Sequence, residues 1–207
     1  MASLRPSDYD TAMREAEVIG NGPRIEPLDN DALDADARQL VDTIRISAGA
    51  GPAAIVPEYM RTMIRHPAIF RCQMELGNVL FRGLIPQRER EIAVLRIGWL
   101  CGAPYEFGQH VNIAKRVGLT TEDVERAIAG SGAPGWSRHE SAILRGVEEL
   151  LADQSICDET WAVLAESWDE PLLIEYTVMV GQYVATAYVQ NALRVRMTED
   201  NPGLANR

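Results

Sequence analysis

The 207-residue sequence predicts an all-α fold of about seven or eight helices. Apolar residues recur every three or four positions along most of the chain. Almost no segment alternates apolar and polar residues as a half-buried strand would. Glycine and proline separate the periodic segments at spacings typical of helices. Because apolar residues make up 46% of the sequence and charged residues 24%, the chain has a globular composition.

The order of the helices follows from these breaks. Residues 1–30 are polar, contain three prolines and are expected to form an extended arm, before a first helix over residues 31–46. We therefore expect residues 1–50 to be an N-terminal arm with one helix and residues 51–207 to be a helical domain. Within that domain, a proline or a capping residue suits the first turn of most helices. Helices are expected at residues 57–64, 67–81, 89–101, 104–117, 121–129, 137–152, 158–168 and 171–193.

Two of these helices, 89–101 and 171–193, are apolar on nearly all sides. Such a helix must be covered over most of its surface, and one small domain has few helices to spare, so we expect subunits to associate. The segment 171–193 is long enough to cross a membrane. It contains Glu175, Gln182, Gln190 and Asn191, each of which is costly to place in lipid. It is better interpreted as a buried core helix. The N-terminus lacks the apolar core of a secretory signal, so a cytoplasmic protein is expected.

Charge and cysteine content exclude several classes of protein. The 30 acidic and 20 basic residues give a net charge of -10, which argues against nucleic acid or an anionic membrane as a partner. The cysteines, Cys72, Cys101 and Cys157, are odd in number and far apart, so no disulfide framework or C-x-x-C pair is expected. Cys101 is interpreted as a packing residue. His66 and His139 have no matching ligand spacing, so no metal site is expected.

The segment 88–110 contains most of the candidate chemistry, because it places Glu91, Glu106 and His110 within apolar helices. Glu106 and His110 are four residues apart and therefore share a helix face. If the turn at residues 102–104 folds two helices into a hairpin, Glu91 comes within about one helical turn, ~5 Å along the axis, of His110. The sequence therefore predicts two carboxylates and an imidazole in one small cavity.

Such a cluster suits proton transfer. Histidine titrates near neutral pH, and a neighbouring carboxylate orients the ring and stabilises its charge. The spacing is also compatible with roles outside catalysis. Glu106 and His110 could form a surface ion pair, and Glu91 could belong to a solvated helix start. Arg96 is compatible with an ion pair that neutralises one of these carboxylates.

Four stretches between residues 57 and 191 resemble the carboxymuconolactone decarboxylase family, which is related to alkyl hydroperoxidase D. They are HPAIFRCQMELGNVLF, LIPQREREIAVLRIGWLCGAPYEFGQHVNIAKRVGLTTEDVERA, GWSRHESAILRGVEEL and VGQYVATAYVQNAL. The resemblance implies a cofactor-free, all-helical enzyme that assembles as a trimer or hexamer, with sites near subunit interfaces. Peroxidases of this superfamily use a C-x-x-C pair before a histidine that matches His110. The matching positions are Ala103 and Glu106, so thiol-dependent peroxide reduction is disfavoured.

The resemblance also implies roles for individual residues. His110 is expected to be the acid/base, with Glu106 orienting it and Glu91 as a second proton carrier. Arg96 and Arg71 are candidates to bind a substrate carboxylate. Tyr105, Gln109 and Tyr183 are candidate hydrogen-bond donors to the substrate. Trp99 is a further candidate for substrate binding, with a position in the hydrophobic core as the alternative.

The expected activity is a decarboxylation of a small lactone or aromatic-derived acid. Loss of CO2 beside an unsaturated lactone leaves dienolate-like charge, which needs a donor at oxygen and an acid at carbon. The same groups also suit an isomerase, a dehydratase or a retro-aldol lyase. Because fold does not fix reaction, a thiol peroxidase-like antioxidant protein and a non-catalytic oligomeric binding protein are also compatible with the sequence.

Overall fold

The computed structural model describes residues 9–47, 51–52 and 54–207. These residues form ten α-helices, two short 3-10 turns and no strand, so the all-α prediction is confirmed. The nine segments predicted one by one match all helices except the first, so the overall estimate of seven or eight is too low. The helices are α1 (Thr11–Ile19), α2 (Ala35–Ser47), α3 (Glu58–Met63), α4 (Pro67–Phe81), α5 (Gln87–Leu100), α6 (Pro104–Arg116), α7 (Thr121–Ala129), α8 (Arg138–Asp153), α9 (Asp158–Ala165) and α10 (Glu170–Leu193).

The α5–α6 hairpin lies at the centre of the domain. Every residue from 90 to 100 is buried, as the all-round apolar sequence of α5 predicts. Gly102 makes the turn with a φ of 51°, and Pro104 opens α6. A Cβ at Gly98 would lie 3.2 Å from Cα of Phe107, so the missing side chain lets the two helices approach closely. This close approach brings polar side chains of α5 against α6.

The remaining helices enclose the hairpin. Helices α7 and α8 pack on α5, and α10 packs on both α5 and α6. The buried Tyr176 of α10 donates a hydrogen bond of 2.5 Å to the carbonyl of Ile143 on α8. Ser137 and Glu140 form a capping box at the start of α8. A separate apolar cluster joins α2, α3 and α4.

Residues 11–19 correct the prediction of an extended arm, because they form α1. The aromatic ring of Tyr9 stacks on Trp99 at 4.9 Å, and its hydroxyl donates to the Trp99 carbonyl. Arg14 donates to the carbonyl of Gly102 at 2.9 Å. These contacts with the α5–α6 hairpin stabilise a helix of nine residues, which is too short to be stable alone, so the segment packs on its own subunit. The division of the chain at residue 50 stays a prediction.

The C-terminal residues fold back along the same hairpin. Asn201 donates a hydrogen bond to the carbonyl of Tyr105, and Asn206 donates to the carbonyl of Gly108, both at 2.9 Å. A Cβ at Gly108 would overlap the Asn201 side chain, so glycine is required for this approach. The tail thus covers one side of α6.

Helix α10 is the one helix in the described part of the chain that is long and apolar enough to cross a membrane, judged by length and composition alone. Its buried face includes Tyr176, Tyr183 and Gln190 and contacts other helices of the domain. The opposite face leaves several large apolar side chains exposed. Helix α10 is therefore a core helix on one side and an apolar surface on the other.

Candidate active site

The α5–α6 hairpin brings Glu91, Glu106 and His110 together, as the turn and the helix spacing predict. Nδ1 of His110 lies 2.7 Å from Oε2 of Glu91, and Nε2 lies 3.3 Å from Oε1 of Glu106. The exposed fractions of Glu91, Glu106 and His110 are 0%, 5% and 6%. This burial excludes both a surface ion pair and a solvated helix start. The catalytic role of the three residues stays a prediction.

Arg90 is a fourth member of the cluster that sequence analysis missed. It is buried, and its Nε donates a hydrogen bond of 2.8 Å to Oε1 of Glu91. A second guanidinium nitrogen donates to the carbonyl of Phe81, and the guanidinium lies 4.3 Å from the centre of the Phe81 ring. The run of charges from 88 to 91 suggests a solvated helix start, but α4 covers Arg90. Each carboxylate oxygen of Glu91 is thereby bound to a cationic side chain.

Gln190 of α10 is the second residue that sequence analysis missed. Its Nε2 donates a hydrogen bond of 2.6 Å to Oε2 of Glu106. Its Oε1 is buried and has no hydrogen-bond partner among the described residues. The sequence contains one weak signal for Gln190, because its amide side chain lies within a helix that is apolar on nearly all sides. Gln190 leaves a buried acceptor next to the Glu106 carboxylate.

The two carboxylates stabilise a charged imidazole. Burial alone lowers the pKa of His110, but the charge of Glu91 and the hydrogen bonds to Glu106 and Glu91 outweigh it and raise the pKa to about 10. Burial likewise opposes ionisation of Glu91, but His110 and Arg90 outweigh it and lower its pKa. At neutral pH the imidazole therefore carries a proton on both nitrogens.

This raised pKa predicts a pH dependence of stability. Since the pKa of His110 rises from 6.5 in the unfolded chain to about 10 in the folded protein, its contribution is complete below pH 6.5 and is lost as the pH rises toward 10. We expect the free energy of unfolding, measured by urea denaturation, to fall over this interval. The fall should be smaller in His110→Ala. An equal fall in both proteins would contradict the assignment of the charge to His110.

One tyrosine contacts the imidazole, and two others are close enough to Glu106 to feel its charge. Tyr183 of α10 meets the His110 ring edge-on, with ring centres 5.1 Å apart. The rings of Tyr59 and Tyr105 lie 6.3 Å apart, and Tyr59 donates a hydrogen bond to Gln73 at 3.2 Å. Burial and the charge of Glu106 raise the pKa of Tyr105 to about 12. Burial likewise raises the pKa of Tyr183, so both tyrosines are neutral donors at physiological pH. Their roles in substrate binding stay predictions.

The arginines expected to bind a carboxylate lie elsewhere. Arg96 is bound by Glu148, with an Nε–Oε1 distance of 2.9 Å, and also donates to the carbonyl of Ile128. Because Arg96 follows Glu91 by five residues, it faces another side of α5. Arg71 is exposed on α4 and lines a cleft with Asp36. The structure does not bring either arginine to His110.

Two further candidates also point away from the cluster. Gln109 donates a hydrogen bond of 2.9 Å to the hydroxyl of Thr198 in the C-terminal tail. It is adjacent to His110 in sequence and is therefore rotated by about 100° around α6. Trp99 packs against Tyr9 and Phe107, which is the core position that the sequence also allows.

The cysteines do not have the C-x-x-C spacing of the peroxidases in this superfamily. Ala103 and Glu106 occupy the two positions that the peroxidase pattern gives to cysteine. Cys101 is partly buried, and burial together with the charge of Glu106 raises its pKa to about 12. Cys72 and Cys157 are free and exposed. Within the described residues, no group of three or more His, Cys, Asp or Glu side chains is arranged to hold a metal ion.

Comparison with protein families places this hairpin in a known group. Residues 67–149 match the carboxymuconolactone decarboxylase family. The chain carries a carboxymuconolactone decarboxylase domain. The match contains α4 to most of α8 and includes Glu91, Glu106 and His110, whereas Gln190 lies beyond it. No curated protein matches the chain.

Solved structures share the fold of this carboxymuconolactone decarboxylase domain and its flanking helices. The debrominase Bmp8 with 2,3,4-tribromopyrrole has a TM-score of 0.70 and 16% identity over 87% of this chain and 95% of its own. The alkylhydroperoxidase AhpD core of a peroxidase-related protein from Ralstonia eutropha has a TM-score of 0.71 and 16% identity over 86% and 93%. A peroxidase-related protein from Silicibacter sp. has a TM-score of 0.69 and 14% identity over 86% of this chain and 94% of its own. At these identities the likeness shows the fold.

Proposed function

We propose that the protein is a cofactor-independent lyase that decarboxylates a small lactone or aromatic-derived acid by proton transfer. The observation that carries the proposal is the buried imidazolium of His110 between Glu91 and Glu106. No cysteine occupies the positions that thiol chemistry uses in this superfamily, so the charged imidazole is the reactive group that remains. The family match supports an enzyme of this class.

The proposed reaction uses Nε2 of His110 as donor. The bond between the substrate carbon and its carboxylate breaks, CO2 leaves, and the electron pair passes into the conjugated lactone carbonyl. The imidazolium stabilises the resulting dienolate, and its Nε2 proton then moves to carbon. Water returns a proton to the imidazole, with Glu106 next to Nε2 as the relay. One CO2 and one protonated lactone form for each substrate.

The geometry supports a different division of roles between the two carboxylates from the one implied by the resemblance. Glu91 is fully buried, and its two oxygens are bound by His110 and Arg90, so it is suited to orient the imidazole and not to carry a second proton. Glu106 faces the reactive nitrogen, and its other oxygen is held by Gln190. We therefore propose Glu91 as the orienting residue and Glu106 as the proton relay.

Tyrosines supply most of the proposed substrate contacts. Tyr105 and Tyr183 provide neutral donors and flat ring surfaces, whereas Arg96 and Arg71 lie elsewhere. The neighbour Bmp8 binds 2,3,4-tribromopyrrole, and this supports a small unsaturated ring as the ligand. In this arrangement the positive charge that faces the substrate carboxylate is His110.

The direct test is a turnover assay with carboxymuconolactone and a panel of related unsaturated lactone acids. We expect loss of the lactone absorbance together with one equivalent of CO2. Release of CO2 in isotopically labelled water should place one solvent hydrogen on the product carbon. Substrate consumption without CO2 would instead support an isomerase, a dehydratase or a retro-aldol lyase. Binding without turnover across the panel would support a non-catalytic binding protein.

Removal of all thiols tests for thiol peroxidase chemistry. The triple variant Cys72→Ala, Cys101→Ala and Cys157→Ala is expected to keep its lactone turnover within about twofold of wild type, because proton transfer through His110 needs no sulfur. Peroxide consumption should be negligible in both proteins. Loss of the measured activity in the triple variant, with unchanged circular dichroism, would contradict a thiol-free mechanism.

A further inference from the structure

Gln190 carries a buried hydrogen-bond acceptor that the proposed reaction does not use. The residue lies on α10 and is 4% exposed. Its Nε2 donates a hydrogen bond of 2.6 Å to Oε2 of Glu106, whereas its Oε1 accepts none within the part of the chain that the structure describes. A buried acceptor without a donor costs the folded protein free energy. Its presence beside the proposed proton relay therefore indicates a donor from outside the chain.

The orientation of the Gln190 amide follows from its contact with Glu106. A carboxylate only accepts hydrogen bonds, so the opposite orientation of the amide would place two oxygens against each other. The amide nitrogen therefore faces Glu106, and the adjoining oxygen is the unpaired acceptor. The other oxygen of Glu106 lies 3.3 Å from Nε2 of His110. The acceptor is thus one amide group and one hydrogen bond away from the carboxylate that contacts the imidazole.

Helix α10 holds Gln190 on the same buried face as Tyr183. The two residues are seven positions apart, which is close to two helical turns. The buried Ala187 lies between them on that face. Tyr183 contacts the His110 ring edge-on. One rigid helix therefore places an aromatic ring against His110 and an acceptor beside Glu106.

His110 and Gln190 place different demands on a ligand. The imidazolium of His110 donates hydrogen bonds and suits a carboxylate or carbonyl oxygen. Oε1 of Gln190 needs a donor, which neither an ionised carboxylate nor a lactone carbonyl contains. In the oxygenated ring acids of the proposed function, that donor is a hydroxyl group. A ligand that satisfies both residues therefore carries a carboxylate and a hydroxyl on one small ring.

We propose that Gln190 determines the specificity of the site by accepting a hydrogen bond from a hydroxyl group of the substrate. The inference rests on the proposed function, because it takes the substrate to bind at His110, and it narrows the substrate class to hydroxylated ring acids. Gln190 then holds Glu106 with its nitrogen and recognises the ligand with its oxygen. A ligand of the same shape without the hydroxyl leaves Oε1 buried and unpaired, so it binds more weakly.

Equilibrium binding of matched ligands to the full chain tests the proposal. The probes are the three positional isomers of hydroxybenzoate and the corresponding fluorobenzoates. Fluorine is close to a hydroxyl in size but donates no hydrogen bond. We expect isothermal titration calorimetry to show at least one hydroxybenzoate binding at least about tenfold more tightly than its fluorobenzoate, because the fluoro compound leaves a buried acceptor unpaired.

Gln190→Met identifies the residue responsible for this preference. Methionine has nearly the same length and shape but lacks the acceptor, so the preference should fall to about twofold or less. The matched control is Gln182→Met, which removes another amide from α10. Gln182 donates to the carbonyl of Gln73 on α4, so this variant should keep the wild-type preference. Circular dichroism shows whether both variants are folded.

A second measurement on the wild type needs no variant. A nuclear Overhauser effect between the bound hydroxybenzoate and the side chain of Gln190 is expected, and its absence would overturn the proposal. The same conclusion would follow if no isomer bound, if none preferred hydroxyl over fluorine, or if the preference persisted in folded Gln190→Met. Equal binding of the two ligand sets would leave water as the donor to Oε1.

The outcome is independent of the test of the proposed reaction, because binding alone is measured. Release of CO2 from a lactone acid by a protein without hydroxyl preference would retain the proposed function and reject the role of Gln190. Hydroxyl-selective binding that depends on Gln190, without release of CO2 from any acid tested, would retain the role of Gln190 and reject the decarboxylase.

Discussion

Replacement of Glu91 with alanine is expected to lower the free energy of unfolding by about 3–5 kcal/mol, because it leaves buried positive charge without a partner. Glu91 is completely buried, and its oxygens bind the guanidinium of Arg90 and the imidazolium of His110. Both cations are buried as well, so little solvent reaches them to replace the lost carboxylate. Urea denaturation at pH 7 measures the change, as a lower midpoint at an unchanged slope.

The matched control for Glu91→Ala is Glu166→Gln, which removes an ion pair with Arg138 at the surface. Both partners of that pair are more than half exposed, so the expected loss is at most about 1 kcal/mol. A loss for Glu91→Ala no larger than that of the control would show that the buried cluster does not depend on its carboxylate. It would also remove the basis for a charged His110 at neutral pH.

The convergence of Glu91, Glu106 and His110 could be predicted because it depends on local geometry. Helix periodicity fixes the face that Glu106 and His110 share, and the turn at residues 102–104 fixes the direction in which α6 returns along α5. A hairpin of two adjacent helices leaves little freedom in the register of facing side chains. Contacts with distant parts of the chain determine only whether these groups are buried.

Arg90 and Gln190 could not be predicted for the opposite reason. Arg90 is buried because Phe81 of α4 covers it, and Gln190 reaches Glu106 from a position 84 residues further along the chain. Helix α1 is a similar case, since contacts of Tyr9 and Arg14 with the hairpin stabilise it. Residue type and spacing do not encode such contacts. A charged run such as 88–91 has the pattern of a solvated helix start. Only the packing of another helix against it shows that part of the run is buried.

The misplaced substrate-binding candidates have a different cause. Arg96 and Gln109 have suitable chemistry and lie close to the cluster in sequence, but their angular positions on α5 and α6 direct them to Glu148 and Thr198. The helical rotation of about 100° per residue follows from the sequence alone and separates Gln109 from His110. Proximity along a helix is therefore a weaker guide to a site than a shared face.

His110→Ala is expected to lower kcat by roughly 10²–10⁴-fold, the usual contribution of a general acid or base. The variant removes both the proton donor and the positive charge that faces the developing dienolate. In the remaining cluster Glu91 keeps its ion pair with Arg90, and Glu106 keeps the hydrogen bond from the neutral Gln190 amide. We therefore expect the variant to stay folded, and we expect its KM to rise as well, because the positive charge that faces the substrate carboxylate is lost.

Steady-state kinetics on the lactone that proves to be the substrate provide the measurement, with Gln109→Ala as the neighbouring control. Gln109 lies next to His110 on α6 but bonds Thr198, so its variant should keep kcat within about threefold. If His110→Ala and Gln109→Ala lowered kcat equally, the loss would reflect a disturbance of α6. Full activity in a folded His110→Ala protein would exclude the imidazole from the reaction. Among the described contacts, no other cation lies against Glu106 to take its place.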